Sequence, residues 1–102
     1  RGELVIDNML YDYGITHAYE RVLPIKEVVK SDFYIPPRNG GKAVYIEFWG
    51  IRDDKAYSDR KKIKKEIYNR ENYNLINIED RHINDLEKYL PKMLLDYNIR
   101  VD

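Results

Sequence analysis

The chain has 102 residues without cysteine, and its 18 basic and 18 acidic side chains give a net charge of zero. This length predicts a single domain spanning residues 1–102. The lack of cysteine excludes a disulfide framework and a thiolate zinc site. The charge balance argues against a uniformly basic nucleic-acid binder. No apolar run approaches the ~20 residues of a membrane span, so we expect no membrane partner, and the missing cysteine fits a reducing, cytoplasmic compartment. Because the chain begins at Arg1 without a methionine, we expect it to have been excised from a longer protein.

The first half of the chain predicts a helix followed by three strands. Residues 3–13 carry apolar side chains at helical spacing. Residues 17–23 and 31–35 read as short strands, and the Pro-Pro-Arg-Asn-Gly-Gly sequence at 36–41 predicts a turn between the second strand and the third. Residues 43–49 form the clearest strand, and because both of its faces carry apolar side chains we expect it to be central in a sheet.

The second half of the chain predicts a helix, a strand and a final helix. The first helix begins at a cap at Asp53 or Asp54 and reaches about Glu71, and its predicted buried stripe is Ala56, Ile63 and Ile67. Residues 73–79 form a fourth strand, and a helical pattern over 83–97 contains Pro91, which should kink or split it. The order α-β-β-β-α-β-α predicts an α/β fold in which an antiparallel meander and a β-α-β crossover form a mixed four-stranded sheet flanked by helices on both faces.

Two of the acidic residues in the predicted strands, Asp32 and Glu47, are unexpected where they stand. Glu47 lies in the middle of the central strand and Asp32 lies in the preceding one, although an ionised carboxylate is rarely left buried without a partner. If residues 38–41 form a four-residue hairpin loop, Pro37 faces Lys42, and Asp32 then lies directly opposite Glu47. Opposed residues share one sheet face with their Cβ atoms about 5 Å apart.

This pair of carboxylates has two explanations that the residues alone leave open. Two bare carboxylates at ~4 Å repel by roughly 4 kcal/mol at an effective dielectric near 20, so a compensating cation is needed. Mg²⁺ or Mn²⁺ suits two carboxylates together with water and a substrate phosphate. The alternative is an ion pair with Arg or Lys from a facing helix, and a one-residue slip of register would separate Asp32 and Glu47 onto opposite faces.

Two further carboxylates are candidates for the same site. Glu3 lies on the edge of the first helix's buried stripe and can reach the acidic face of the sheet, although a Glu at a helix N-terminus is also favoured by the helix dipole. Glu20 lies in the first predicted strand. The alternative to a role in the site is that Glu20 is an ordinary strand residue, either solvated or paired with an arginine.

The predicted middle helix carries a run of positive charge, with five cations among residues 60–65. Lys64 lies about 60° from Ile67 at ~100° per residue, which places it on the rim of the buried face. The residues on the same flank are Tyr57, Arg60 and Tyr68. Such a run is usually a solvated face, but this flank can point Lys64 and Arg60 toward the carboxylates, where they would bind a phosphate or stabilise a developing charge.

The order and spacing of these segments resemble the PD-(D/E)XK nuclease superfamily, and most closely its small restriction-endonuclease-like domains that occur alone or attached to helicases. The segments that carry the resemblance are Glu3, Ile15–Glu20, Ser31–Phe33, Val44–Gly50, Tyr57 and Lys64–Tyr68. Two positions depart from the family pattern. Ser31 stands where the motif usually has proline, and Trp49 stands where it has lysine.

The resemblance implies a restriction-endonuclease-like αβββαβ core, here followed by a C-terminal helix, and a metal-dependent deoxyribonuclease that hydrolyses phosphodiester bonds with Mg²⁺ or Mn²⁺. It implies that Asp32, Glu47 and Glu3 are the metal ligands, and that Lys64 replaces the missing motif lysine from the following helix. The catalytic set would then be Asp32, Glu47, Lys64 and Glu3. The implied nucleic-acid-binding residues are Arg60, Lys61, Tyr57 and Tyr68.

DNA is therefore the expected partner, with RNA as an alternative, together with a helicase or other domain in the full-length chain and a second copy in a homodimer. If Lys64 does not reach the carboxylates, the alternative is a catalytically inactive module on the same fold. Such a module would bind nucleic acid or a partner protein for an attached enzyme. A structural oligomerisation domain is a third interpretation.

Overall fold

The predicted order of helices and strands is confirmed by a computed structural model, which describes residues 1–38 and 40–101. The elements are α1 (Gly2–Asp12), β1 (Ala18–Val22), β2 (Lys30–Ile35), β3 (Val44–Trp49), α2 (Lys55–Arg70), β4 (Asn74–Glu79), a 3₁₀ helix (Asp80–Asp85) and α3 (Leu86–Leu95). From α1 to β4 every bound lies within one residue of its prediction. Among the described residues, no helix is both long and apolar enough to cross a membrane.

The four strands form one mixed sheet in the order β1-β2-β3-β4. β1, β2 and β3 pair antiparallel as a meander, whereas β3 and β4 are parallel because α2 carries the chain back across the sheet between them. β3 is central, as its two apolar faces predicted, and all but one of its side chains are buried.

Helices cover both faces of the sheet. On one face α1, the 3₁₀ helix and α3 enclose the larger core, which includes Ile6, Phe33, Ile46, Ile78 and Leu90. On the other face α2 covers a smaller cluster of Leu23, Val29, Tyr45 and Tyr68. The alternation of side chains along β2 and β3 sends Phe33 and Ile46 to the first face and leaves Asp32, Tyr45 and Glu47 for the second.

The predicted buried stripe of α2 is wrong. Ala56 and Ile63 are exposed and Ile67 is only partly buried. The residues that face the sheet are Tyr57, Lys61, Lys64 and Tyr68, which recur at helical spacing on the neighbouring flank. The physical reason is that this face of the sheet presents the carboxyl groups of Asp32 and Glu47 among its apolar side chains. Lysine and tyrosine can pair with those groups, whereas aliphatic side chains cannot.

The predicted split of the helix at Pro91 is also wrong. Pro91 lies inside α3, which runs unbroken from Leu86 to Leu95. Proline removes one backbone donor from a helix, but Leu86, Leu90 and Leu94 are buried and hold this helix against the core. The change of helix type occurs earlier, where the 3₁₀ helix ends at Asp85.

Candidate active site

Asp32 and Glu47 lie in the register that the hairpin predicted. The three pairs between β2 and β3 are Phe33↔Ile46, Tyr34↔Tyr45 and Ile35↔Val44. The next step of the same register places Asp32 opposite Glu47, so the one-residue slip did not occur. Within the predicted turn, the Gly41 N–H donates to the Arg38 carbonyl at 2.9 Å, while Asn39 lies outside the described residues.

Glu47 is buried beneath α2, with 1% of its surface exposed. The Lys64 Nζ lies 2.9 Å from Glu47 Oε1 and 2.8 Å from Oε2. The Tyr68 hydroxyl donates to Oε2 at 2.6 Å. Lys64 therefore reaches the carboxylates, and the ion pair with a facing helix that the sequence left open is present.

Burial raises the pKa of both carboxyl groups. The pKa of Glu47 rises from 4.5 to about 7 because burial outweighs the hydrogen bonds from Lys64 and Tyr68, and the charge of Asp32 adds to the rise. Burial likewise raises the pKa of Asp32, although the Phe48 N–H, which donates to Asp32 Oδ2 at 2.7 Å, opposes this. Each carboxyl group also affects the pKa of the other, so the two side chains interact as well as standing opposed in register.

Glu3 lies near this pair without joining it. Its carboxylate accepts a hydrogen bond from the Tyr19 hydroxyl at 2.6 Å, which raises the pKa of Tyr19 to about 12. The charge of Glu3 contributes to the raised pKa of Asp32, so the two interact electrostatically. Across residues 1–38 and 40–101, no three His, Cys, Asp or Glu side chains converge closely enough to hold a metal ion.

Glu20 is placed beside Asp32 by the register of β1 and β2. The neighbouring pairs are Tyr19↔Phe33 and Arg21↔Ser31, so Glu20 falls opposite Asp32. Its φ of +51° lies in the left-handed region, which costs a residue with a side chain roughly 1–2 kcal/mol. The Glu20 side chain is exposed at the edge strand of the sheet.

Three of the four predicted nucleic-acid-binding residues line the cleft, and the fourth, Tyr68, does not. Arg60, Lys61 and Tyr57 line an open cleft over the carboxylates, although Lys61 also pairs with Glu79 at 2.8 Å. Tyr68 is buried, which corrects its expected role. Its ring is not accessible to a nucleic acid, and its hydroxyl donates a hydrogen bond to Glu47 instead.

Trp49 is a site residue that the sequence argument treated only as a departure from the motif. Its indole N–H donates to Asn77 Oδ1 at 2.8 Å, and its ring centre lies 5.3, 5.8 and 6.0 Å from the Nζ atoms of Lys61, Lys64 and Lys65. Cation–π attraction therefore favours this gathering of like charges. The available signal was spacing, because Trp49 follows Glu47 by two residues and shares its face of β3.

The cleft that contains these groups has a volume of about 520 Å³. Asp32, Glu47 and Trp49 lie in its wall on the sheet side, and Arg60, Lys61 and Lys64 come from α2. Adjacent carboxylates can hold a cation, and ammonium and guanidinium groups beside them can hold an anion. The arrangement therefore suits a ligand that carries negative charge next to a metal ion.

Comparison of the chain with protein-family models gave no match, and neither did searches of curated proteins and of solved structures.

Proposed function

We propose that the protein is a metal-dependent deoxyribonuclease of the PD-(D/E)XK type. The observation that carries the proposal is the constellation of Asp32 and Glu47 in opposed register with the Lys64 ammonium 2.8 Å from Glu47. The αβββαβ order and the mixed sheet support a restriction-endonuclease-like core. The motif lysine, absent at Trp49, is supplied by α2 at the same carboxylate.

The donor set fits Mg²⁺ or Mn²⁺. Asp32 and Glu47 offer adjacent carboxylate oxygens, which are the ligands that these hard cations prefer. Their raised pKa values mean that the pair of negative charges is destabilised where it lies, and a divalent cation would relieve that destabilisation. When bound, such an ion supplies positive charge that favours deprotonation of water and offsets the charge of a phosphate.

The chain's own residues contribute positioning and charge. The Phe48 N–H holds Asp32, and the Tyr68 hydroxyl holds Glu47, so both carboxylates are fixed before a substrate arrives. Lys64 retains partial exposure to the cleft, from which its ammonium can donate to a phosphate oxygen. Arg60 also lines the cleft and can bind the sugar–phosphate backbone.

Cleavage of labelled DNA in Mn²⁺ tests this proposal. We expect Asp32→Asn and Lys64→Ala each to reduce the cleavage rate at least 100-fold, as expected for loss of an electrostatic group at a reacting centre. The matched controls are Asp12→Asn and Lys62→Ala, because both residues are exposed and lie away from the cleft lining. Equal cleavage by Asp32→Asn and the wild type would exclude the assignment.

A second candidate function is a catalytically inactive module that binds nucleic acid or a partner for an attached enzyme. The observation that favours it is that Lys64 and Tyr68 already engage both oxygens of Glu47. Titration calorimetry with Mn²⁺ separates the two candidates. A nuclease requires Mn²⁺ binding that Asp32→Asn weakens, whereas DNA binding without any Mn²⁺ binding supports the inactive module.

A further inference from the structure

The cleft over Asp32 and Glu47 has an apolar part as well as a charged part. Val28 and Ile63 line it, and they are 92% and 56% exposed. They lie on different elements, since Val28 belongs to the β1–β2 connection and Ile63 to α2. Because they border the same cleft as Phe48 and Trp49, these exposed apolar side chains are grouped rather than scattered, and such a group indicates a ligand that has apolar surface of its own.

A phosphate backbone alone does not provide that surface. Branched aliphatic side chains gain free energy only by covering apolar atoms. In a duplex the faces of the bases are stacked inside the helix, and the outside presents phosphates, sugars and only the edges of the bases. An unpaired strand exposes base faces, which apolar and aromatic side chains can cover while cations hold the phosphates.

The shape of the cleft also disfavours a duplex. Val29, which is buried, and Ile67, which is partly buried, both line the cleft and belong to the apolar cluster that joins the β1–β2 connection to α2. Beyond them, Glu27 pairs with Arg70 at 2.7 Å and links the same two elements. The cleft is therefore closed at this end. A flexible strand can turn out of a groove that is closed at one end, whereas duplex DNA is stiff over ~150 base pairs.

We infer that this cleft binds a nucleic-acid strand with unpaired bases, whose bases contact Val28 and Ile63 and whose phosphates contact Arg60 and Lys64. The inference rests on the proposed function for its choice of nucleic acid. It adds the substrate class, which is single-stranded rather than duplex. The observation that supports this preference is that both apolar and cationic side chains line the cleft.

Fluorescence anisotropy with three labelled probes tests the inference on the wild-type protein, in Ca²⁺ and in EDTA. The probes are a single-stranded 20-mer, its blunt duplex and a 20-mer of abasic sugar–phosphate units, which keeps the charge of the strand but lacks the bases. We expect the single strand to bind about tenfold tighter than either of the others. Equal or tighter binding of the duplex or of the abasic strand overturns the inference, and so does no binding of any probe.

Two matched variants locate the contact. Ile63 and Leu95 are exposed residues of different helices, at 56% and 54%, so Ile63→Gln and Leu95→Gln perturb the fold to a similar small extent. We expect Ile63→Gln to weaken binding of the single strand about three- to tenfold and to leave the abasic strand unaffected, while Leu95→Gln changes neither. Equal losses on both strands, or no loss on the single strand, contradict the inference.

The outcomes also separate this inference from the nuclease proposal. Failure of Mn²⁺-dependent cleavage, with the order of probe affinities as expected, overturns the nuclease and leaves the single-strand site standing. Conversely, cleavage that requires Asp32, combined with tighter binding of the duplex, supports the nuclease and overturns the single-strand site.

Discussion

Glu47 determines the electrostatics of the site because its carboxylate, which is more stable in water, is buried between β3 and α2. Its pKa of about 7 means that the folded protein binds this proton more tightly than the unfolded chain, whose value is 4.5. The free energy of unfolding that depends on this group is therefore largest below pH 4.5 and is lost as the pH rises through 7. The ionised carboxylate, which a metal or Lys64 requires, is thus the form that costs stability.

Glu47→Gln tests this cost. The substitution keeps the shape of the side chain and removes the charge, so we expect the variant to be more stable than the wild type at pH 8, by about 1–3 kcal/mol. At pH 5, where Glu47 in the folded wild type is protonated, the difference should shrink. Thermal unfolding followed by circular dichroism in EDTA at both pH values measures it. A stability difference independent of pH would contradict the assigned cause.

At the scale of elements, the start of α1 is fixed by a close contact with β3. A Cβ added to Gly2 would overlap the ring of Phe48, whereas one added to Gly50 would lie 4.0 Å from the same ring. Phe48 also supplies the N–H that holds Asp32. The position of α1, which carries Glu3, and the position of Asp32 are therefore linked through one residue of β3.

Gly2→Ala is expected to destabilise the protein by about 1–3 kcal/mol, because the methyl group must displace the Phe48 ring or the helix. The sign is diagnostic, since alanine stabilises a helix interior relative to glycine by roughly 1 kcal/mol, and at the first residue of α1 any gain of this kind would oppose the expected loss. Gly50→Ala is the control and should change stability far less. Urea unfolding of both variants measures the effect, and a stabilised Gly2→Ala would show that the contact is relieved without cost.

The junction between β4 and the 3₁₀ helix depends on a neutral histidine. The Glu79 N–H donates to His82 Nδ1 at 2.9 Å, and this nitrogen can accept only while it is unprotonated. Burial lowers the pKa of His82 below 6.5, the charge of Arg81 lowers it further, and Glu79 opposes them. Because the folded pKa is depressed, the stabilisation is present above pH 6.5 and is lost as the pH falls.

His82→Gln removes this titration. We expect the wild type to exceed the variant in stability by about 1 kcal/mol at pH 7.5, and by less at pH 5. Comparing the two proteins at each pH cancels the opposite contribution of Glu47. Denaturant unfolding at the two values gives the measurement, and a difference that grows toward pH 5 would rule out the neutral cap.

The parts of this fold that could be predicted from the sequence are those set by local rules. The hairpin register followed from the length of its turn, and it brought Asp32 and Glu47 together. The flank of α2 that carries Lys64 and Tyr68 was predicted to border the buried face, but the centre of that face was placed at the aliphatic stripe, because hydrophobic periodicity assumes an apolar surface beneath a helix. The position of Glu3 was similarly out of reach, since the periodicity of α1 does not state which sheet face that helix covers.

At the scale of the whole molecule, a net charge of zero conceals an uneven distribution. Five cations stand among residues 60–65, and three of them, Arg60, Lys61 and Lys64, line the cleft. Long-range attraction of a polyanion by the protein as a whole is therefore weak. The salt dependence of binding should instead reflect the few phosphates that these cations touch.

Arg60 provides a test of that local contribution, because it is exposed and lines the cleft. Arg100 is the matched control, because it is also exposed but lies outside the cleft lining. Both substitutions to alanine change the net charge by the same amount. Loss of one phosphate contact lowers the slope of log affinity against log salt by about 0.7 for a single strand. We therefore expect Arg60→Ala to reduce the slope by that amount and to weaken binding to all sequences alike, while Arg100→Ala leaves the slope unchanged. Equal slopes for the two variants would mean that net charge, rather than the cleft, governs association.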